Sequence, residues 1–458
     1  MMEDTIAAIS TPPGTGGIGI IRISGEDSFR ITSKIFRGAV DFDKIKSHTI
    51  NYGKIIDADK KETVDEVLVS KMKKPASFTR EDVVEINCHG GIIILKKILG
   101  LIIKEGARIA EPGEFTKRAF LNGRIDLSQA EAVIDLINSK TDVGSKAAID
   151  QLEGKLSKKL KGVREKLIEL IAHIEVTVDY PEHDIEEITG NKVYEDLIPI
   201  KEMLFDIIIG FDKGRIIREG LNIVIVGRPN VGKSSLLNEL TGKSKAIVTD
   251  IPGTTRDIIE EYININGIPV KLVDTAGIRD TEDPVEKIGV ERAKKAIDGA
   301  DLIIMMTDAA SGINDEDINI FNDVRNKNII VLINKIDAAS SEKIINIENC
   351  FKGFNVIKLS LKDGIGIGQI EDEITNLFNI GSVALNDEIL VTNVRHKNMI
   401  ELAHKRIENA MAAYENGMPL DMITIDIKDA AEYLGQITGE SVSEDVLHEI
   451  FKRFCIGK

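Results

Sequence analysis

The sequence predicts a multidomain fold with an α+β N-terminal domain, a discontinuous α-helical domain, and an α/β domain inserted into the helical one. Strand-like runs fill residues 1–118, helical spacing of apolar residues dominates 119–216 and 382–458, and strand-like runs that end in polar loops fill 217–381. A chain of 458 residues has room for two or three domains. Whole-domain insertions are tolerated where the two ends of the insertion lie close together, so we expect one helical domain in two segments.

The N-terminal domain opens with two strand-like runs, Thr5–Ser10 and Gly19–Ser24, around a glycine-rich turn. Glu62–Lys71 and Val83–Asn87 predict two further strands. The apolar spacing of Gly90–Glu105 predicts a helix. Strands and a helix in this order indicate the α+β class.

The helical segments repeat apolar residues at the spacing of an α-helix. Ser128 followed by Glu131 fits a capping box at the start of the first helix. Lys213–Gly214 is the predicted hinge into the inserted domain. The predicted helices are Ser128–Ile137, Lys155–Val178, Val193–Phe211, Asn393–Asn416 and Ser443–Arg453.

The inserted domain begins with a phosphate-binding loop at residues 227–234, directly after the apolar strand Asn222–Val226. Its glycines let backbone N–H groups close around phosphates, and the following helix adds its positive N-terminus. Lys233 should reach the outer phosphates, and the Ser234 hydroxyl should bind Mg²⁺. The loop residues expected to contact a nucleotide are Asn230, Val231, Gly232, Lys233, Ser234 and Ser235.

Two further loops follow strands in the right order and identify the nucleotide as GTP. Asp274–Gly277 follows Val270–Val273; its aspartate orders the metal through water and its glycine senses the terminal phosphate. Asn334–Asp337 follows Ile329–Ile333, and the Asp337 carboxylate can accept two hydrogen bonds that guanine offers and adenine lacks. These loops add the expected contacts Asp274, Thr275, Ala276, Gly277, Asn334, Lys335 and Asp337. Ser360–Lys362 is either the last guanine-contacting loop, with Ser360 as its contact, or an ordinary turn.

The hydrolytic machinery differs from that of Ras-like enzymes, because Ile278 stands where a glutamine would orient the attacking water. Asn230 could instead bind a monovalent cation beside the phosphates, with carbonyls from Ala246–Thr255 as further ligands. Thr255 is the expected second hydroxyl ligand of Mg²⁺. Glu286 could position the water, although an acid in a charged loop is more typical of solvated surface.

Composition limits the other possibilities. Three widely spaced cysteines form neither a disulfide framework nor a zinc site, which fits a reducing cytoplasm. The start of the chain lacks the basic residues of a signal peptide, and Ile92–Ile103 is too short to span a membrane. A formal net charge of −16 argues against a general nucleic-acid coat. The lysines and arginine between Lys155 and Lys166 form either a local basic patch or, as is more usual, a solvated helix face.

Seven segments are motifs of one known family. They are Asp4–Gly14, Ser77–Asp82, His89–Gly91, Pro112–Asn122, Asp126–Ala132, Asp250–Asp257 and Cys455–Lys458. With them the chain resembles the MnmE (TrmE) family of tRNA-modification GTPases over essentially its whole length. The resemblance implies a folate-binding and dimerisation domain at 1–118, a helical domain at 119–216 and 382–458, and a Ras-like GTPase domain at 217–381.

The resemblance also implies the chemistry and the partners. GTP hydrolysis would need Mg²⁺ and K⁺, and an FAD protein of the MnmG type would join the chain in a heterotetramer. The complex would place an aminomethyl or carboxymethylaminomethyl group on the wobble uridine of tRNA, with one carbon from 5-formyl- or methylene-tetrahydrofolate. The implied K⁺ contacts are Asn230, Thr249, Ile251 and Thr254, the implied folate contacts are Arg22, Glu81, Arg124 and Lys458, and the implied catalytic residues are Glu286 and Cys455.

Two other classes of function stay open. A ribosome-assembly GTPase would share the nucleotide loops, but it usually carries a compact basic RNA-binding domain, whereas this chain is acidic. A one-carbon enzyme that used only the N-terminal domain would not need an intact phosphate loop. We therefore expect a tRNA-modifying GTPase that works in the cytoplasm without a membrane.

Overall fold

The computed structural model describes residues 4–179, 190–243, 246–247, 262–274, 294–378 and 390–458. The chain divides into two compact units. The first contains Met1–Ile137, Gln151–Leu197 and Lys405–Lys458, and the second contains Asn138–Asp150 and Ile198–His404. Each unit has its own seven-stranded sheet, which confirms the predicted multidomain class. None of the helices in the described ranges has both the length and the apolar content to cross a bilayer.

The sheet of the first unit is antiparallel except where β1 pairs with β7, and its order is β3-β4-β5-β6-β2-β1-β7. Its strands are β1 (Ile6–Ile9), β2 (Ile18–Ser24), β3 (Phe36–Gly38), β4 (Thr49–Asp57), β5 (Glu62–Met72), β6 (Val83–His89) and β7 (Arg108–Ile109). The four strands predicted in this domain are confirmed to within two residues at each end.

Alternation along these strands separates two faces of the sheet. Ile21, Val69 and Ile86 are buried under α1 (Ser28–Ile35) and α2 (Ile92–Lys104). The opposite face carries exposed apolar side chains at β4 and β5, where Tyr52 pairs directly with Leu68. One face therefore builds the core of the domain, and part of the other face is apolar but uncovered within the described chain.

The helical segments on either side of the inserted domain pack together in the first unit. α14 (Leu420–Thr438) lies against α6 (Lys155–Asp179) and α4 (Leu127–Ile137). Around α4, the aromatic rings of Phe451 and Phe454 complete a second core. The predicted discontinuous helical domain is thus confirmed. The remaining helices are α3 (Glu114–Leu121), α5 (Asp142–Leu152), α7 (Gly190–Ile209), α8 (Phe211–Glu219), α13 (Val394–Glu415) and α15 (Glu444–Phe451).

The sheet of the second unit has the order β14-β13-β12-β8-β11-β10-β9, with all neighbours from β11 through β8 to β14 parallel. Its central strands are buried along their whole length, as expected for parallel strands covered on both faces. The strands are β8 (Leu221–Val226), β9 (Ala246–Ile247), β10 (Tyr262–Ile265), β11 (Ile268–Asp274), β12 (Leu302–Asp308), β13 (Ile329–Asn334) and β14 (Asn355–Lys358), with helices α9 (Lys233–Lys243), α10 (Asp315–Val324), α11 (Ser341–Cys350) and α12 (Ile367–Leu377).

Two local predictions were wrong. The cap of α4 uses Asp126, which accepts from the backbone N–H of Gln129 at 3.0 Å while the Gln129 side chain accepts from the Asp126 N–H at 2.9 Å. Ser128 lies inside the helix, where its hydroxyl bonds to Ser157 at 2.7 Å, so it is not the capping residue. The predicted hinge at Lys213–Gly214 lies within α8, and the chain turns instead at Gly220, before β8.

Candidate functional site

The phosphate-binding loop connects the end of β8 to the start of α9, as predicted. The Lys233 ammonium donates to the carbonyls of Gly227 at 2.6 Å and Arg228 at 2.9 Å, so it lies over the loop. Gly232 has φ +113°, and a Cβ there would lie 2.4 Å from Nδ2 of Asn334, so only glycine fits. Ser234 and Ser235 are exposed in the first turn of α9.

Asn334 and Lys335, at the end of β13, attach the predicted guanine loop to the phosphate loop. The buried Asn334 side chain donates to the Val231 carbonyl at 2.7 Å. The Lys335 ammonium donates to the Asn230 carbonyl at 2.9 Å and to the Asp308 carboxylate at 2.8 Å. The two loops are therefore held in register by side chains from the second one.

The loop at residues 360–362 lies beside the same site. The buried Ser360 hydroxyl donates to Oδ1 of Asp337 at 2.9 Å, and the Leu361 N–H lies 3.4 Å from Oδ1 of Asn334. The structure thus brings Asn334, Lys335, Asp337 and Ser360 together with Asn230 and Val231, although the individual roles of these residues stay predictions.

Two residues that support the nucleotide loops, Arg228 and Asp308, were not predicted from the sequence. Arg228 in the phosphate loop donates from Nε to the fully buried Asp317 carboxylate at 2.8 Å and from Nη2 to the Gly312 carbonyl at 2.9 Å. Burial raises the pKa of Asp308, but hydrogen bonds from Lys335 and from backbone amides outweigh it, so this pKa lies below its usual value. Asp308 could have been found, since it ends a buried strand at the same sheet edge as the other loops.

Several predicted residues cannot be placed. Thr249, Ile251, Thr254, Thr255, Thr275, Ala276, Gly277, Ile278 and Glu286 lie outside the described residues. Asp274 ends β11, and only its backbone is described. The Mg²⁺ and K⁺ contacts assigned to this group therefore remain predictions.

A second cluster lies in the N-terminal domain around the Phe78 ring. The guanidinium carbons of Arg22 and Arg124 lie 5.8 and 4.8 Å from the ring centroid. Arg22 also donates to the Glu85 carboxylate at 2.8 Å and to the Gly457 carbonyl at 3.3 Å. Two of the four residues implied for folate binding thus meet at one aromatic ring.

Glu81 is held by groups on either side of it. Its carboxylate accepts from the Ser24 hydroxyl at 2.7 Å and from Nη1 of Arg118 at 3.2 Å. Arg118, which is only 1% exposed, also donates to Asp4 at 2.7 Å and to Glu114 at 3.1 Å. Arg118, which fixes the position of the Glu81 carboxylate, was not predicted as a site residue from the sequence.

Residues 455–458 lie against the start of the chain. The Ser10 hydroxyl donates to the Gly457 carbonyl at 3.2 Å, and the Gly113 N–H donates to the Cys455 carbonyl at 3.3 Å. Gly457 has φ +91°, and a Cβ there would lie 2.5 Å from the Ile9 carbonyl oxygen. The Cys455 side chain is exposed, and the backbone N–H of Lys458 donates to the Cys455 carbonyl at 3.4 Å. The tail is thus held by Ser10 and Gly113, and its Gly457 carbonyl contacts Arg22.

Comparison with known families and proteins covers the whole chain. The family described as "MnmE helical domain" matches residues 127–455, and the one described as "GTP-binding protein TrmE N-terminus" matches residues 5–124. A protein of Acetivibrio thermocellus named "tRNA modification GTPase MnmE" is 68% identical, with 100% of this chain and 99% of that protein aligned. Proteins of the same name from Alkaliphilus oremlandii and Clostridioides difficile are 52% and 50% identical, with full coverage of both chains.

Proposed function

Because this chain belongs to the MnmE family of tRNA modification GTPases, we propose that it couples GTP hydrolysis to modification of the wobble uridine of tRNA at C5. The observation that carries the proposal is that one chain brings residues predicted for two sites together in two clusters. One consists of the phosphate and base loops joined by Asn334 and Lys335, and the other is the Arg22–Phe78–Arg124 cluster with its docked tail. Full-length relatives of one name favour this function over ribosome assembly.

GTP binding follows from the first site. Phosphate oxygens are stronger acceptors than the loop carbonyls that Lys233 now contacts, so a bound triphosphate would draw the ammonium to itself. Ser360 orients Asp337 through one oxygen, and an ionised carboxylate has about four acceptor sites, so two N–H groups of guanine can still bind it. Ser234 and Thr255 would hold Mg²⁺, which neutralises charge on the phosphates.

We further propose that hydrolysis depends on K⁺. Asn230, Thr249, Ile251 and Thr254 would hold this ion through amide and backbone oxygens, and that donor set suits a monovalent cation. The backbone of Asn230 is held in place, because the residue has φ +63° and its carbonyl accepts a hydrogen bond from Lys335. The cation would supply the positive charge that an arginine finger supplies in other GTPases. Glu286 would then position the attacking water in place of a glutamine.

The second site is proposed to bind a tetrahydrofolate that carries the one-carbon unit, as the 5-formyl or methylene form. The Glu81 carboxylate is positioned by Ser24 and Arg118, and it can accept hydrogen bonds from the donors of a pterin. Arg22, Arg124 and Lys458 supply cations for the carboxylates of the same ligand. Cys455 is proposed to act in the modification step, and its side chain is exposed two residues before Gly457, whose carbonyl accepts from Arg22, which supports that assignment.

Membership of the MnmE family is the basis on which we propose the partners of this chain. We propose a homodimer through the N-terminal domain, a heterotetramer with an FAD protein of the MnmG type, and tRNA as substrate in the cytoplasm. The outer face of the N-terminal sheet supports the homodimer, because Ile50, Tyr52 and Leu68 are 68%, 60% and 44% exposed on adjacent strands. Apolar patches of this kind are typical of protein interfaces.

The GTPase part is tested by steady-state hydrolysis in K⁺ and in Na⁺ at equal ionic strength. We expect strong stimulation by K⁺ that is lost in Asn230→Ala, while Asn416→Ala, a substitution of the same type on an exposed residue far along the chain, keeps it. Equal rates in the two salts would remove K⁺ from the mechanism. Loss of rate in Glu286→Gln with K⁺ dependence retained would support its separate role with water.

The tRNA part is tested by mass analysis of wobble nucleosides in a deletion strain that carries the wild-type or a variant chain. We expect Cys455→Ser to abolish the modification while GTP hydrolysis by the purified variant stays normal. Cys350→Ser is the matched control, because Cys350 is also exposed but lies in the inserted domain. Unchanged nucleosides in the deletion strain would contradict the proposed function.

A further inference from the structure

A cavity of about 500 Å³ lies beside Arg124 in the N-terminal domain. Arg80, Ser77 and Met72 line it together with Arg124 and His48. Arg80 has φ +59°, a left-handed conformation that glycine or asparagine adopts far more easily than arginine. A side chain held at such a cost marks the position as a candidate for function.

The two arginines of the cavity are not neutralised within the described part of the chain. Nη1 of Arg80 donates to the Asn122 carbonyl at 2.9 Å, and none of the described ion pairs includes Arg80 or Arg124. The acids that follow Arg80 are engaged elsewhere: Glu81 accepts from Ser24 and Arg118, and Asp82 accepts from the Lys74 N–H at 2.8 Å. Two guanidinium groups therefore share one cavity without a carboxylate.

The positive charge of each arginine acts on the other. Burial lowers the pKa of Arg124, and the neighbouring charge of Arg80 lowers it further. Both effects penalise the cationic form, and a bound anion would relieve them. The cavity thus has the chemistry of an anion site.

The cavity and the proposed folate site share Arg124. This residue lines the cavity and also stacks on Phe78, the ring that Arg22 contacts from the folate site. An anionic chain attached to a ligand at Arg22 and Phe78 would reach Arg124 first and Arg80 next. A simple phosphate would satisfy the charge but would not explain why Arg124 belongs to both the cavity and the proposed folate site.

We propose that the cavity is a subsite for the extended γ-glutamyl tail of a folate, with Arg80 and Arg124 binding successive carboxylates. The inference rests on the proposed folate binding and adds a preference for polyglutamylated over monoglutamylated forms. Arg80 lies outside the folate contacts named above, so it can be changed without touching them. Arg124 already binds a carboxylate of the monoglutamate, so the longer tail gains only the Arg80 ion pair, and one exposed ion pair tightens binding by at most roughly fivefold.

Calorimetric titration of the full chain with 5-formyltetrahydrofolate monoglutamate and pentaglutamate tests this preference. We expect the pentaglutamate to bind up to roughly fivefold tighter to the wild type, with a smaller gain at high salt. Arg80→Asn keeps a residue that tolerates positive φ, and it should bring the two affinities close together without weakening the monoglutamate. Lys46→Asn removes the same charge from an exposed residue outside the cavity and should keep the wild-type ratio.

Each other outcome is decisive. Equal affinities in the wild type, or a pentaglutamate gain that survives in Arg80→Asn, overturn the tail subsite while folate binding stands. If the monoglutamate does not bind at all, the proposed folate function fails, and the tail subsite fails with it. Inorganic phosphate that binds in an Arg80-dependent manner, without a pentaglutamate gain, would make the cavity a phosphate site instead.

Discussion

Replacement of Arg118 by alanine should destabilise the N-terminal domain more than any surface substitution. The guanidinium is 1% exposed and donates to Asp4, Glu81 and Glu114 over 2.7 to 3.3 Å. Removal of one partner from a buried ion network leaves carboxylates with fewer donors in a poorly solvated place. Such changes cost about 3–5 kcal/mol.

The structure places Arg118→Ala at the lower end of that range, at about 3 kcal/mol. Glu114 keeps two hydrogen bonds from Arg108, at 2.7 and 3.0 Å, so it is not orphaned. Glu81 keeps the Ser24 hydroxyl, and the Asp4 side chain is 45% exposed, so water replaces part of what it loses. A much larger cost would mean that the loss spreads beyond these three carboxylates.

Native-state hydrogen exchange read by mass spectrometry is the suitable assay, because a multidomain chain lacks a single unfolding transition. In peptides that cover β2 and β6, exchange should become roughly a hundredfold faster, which corresponds to about 3 kcal/mol. Arg30→Ala is the control, since the Arg30–Asp27 pair has the same chemistry but is 48% and 52% exposed. An effect of Arg118→Ala no larger than that of Arg30→Ala would refute the reasoning.

Three further predictions test the sites. Asp337→Asn should weaken GTP binding by at least about a hundredfold. The variant should instead favour a purine nucleotide with an oxygen in place of the 2-amino group, which nucleotide competition would measure. Retained GTP affinity would contradict the assignment of this loop to the base. Gly457→Ala should displace the tail, because the added Cβ would lie 2.5 Å from the Ile9 carbonyl oxygen. Folate binding should then fall several-fold while GTP hydrolysis persists. The control Gly14→Ala, whose Cβ would meet no atom within 4 Å, should change neither. Burial raises the pKa of Glu114, but hydrogen bonds from Arg108, the Glu111 amide and Arg118 outweigh it, so the pKa of this carboxyl lies below its ordinary value of 4.5. The ionised carboxylate therefore stabilises the fold above pH 4.5, and this stabilisation is lost as the pH falls through the pKa of the folded state. The calorimetric transition of the N-terminal domain should show this loss between pH 6 and 3, and Glu114→Gln should reduce it. An unchanged pH dependence would argue against the network.

The elements with strong local signals were predictable. β8 was expected at Asn222–Val226 and is found at Leu221–Val226, because an apolar run ended by a glycine loop leaves little choice of boundary. The same rule located the strand before Asn334. The predicted cap of α4 was wrong because Asp126–Gln129 and Ser128–Glu131 both fit the capping pattern, and the cap forms at the earlier pair.

The pairings between distant residues were not predictable from one sequence. Arg228 and Asp317 are 89 positions apart, and nothing local to either residue indicates the other. Arg118 belongs to a motif of the family resemblance, but its burial among three acids depends on how α3 packs on the sheet. The cavity beside Arg124 has no sequence pattern, because residues from three separate parts of the chain line it.

The contact between Ser10 and Gly457 means that the Arg22–Phe78–Arg124 cluster is completed only at the end of synthesis. These residues are 447 positions apart, so a ribosome that adds 5–20 residues per second needs roughly 20–90 s to get from one to the other. Until then the N-terminal sheet can fold, yet Arg22 lacks its carbonyl partner from the tail. A nascent chain that stalls after the inserted domain would therefore have its nucleotide loops but an incomplete Arg22–Phe78–Arg124 cluster. The Arg22–Gly457 contact can form only after every intervening domain has been translated.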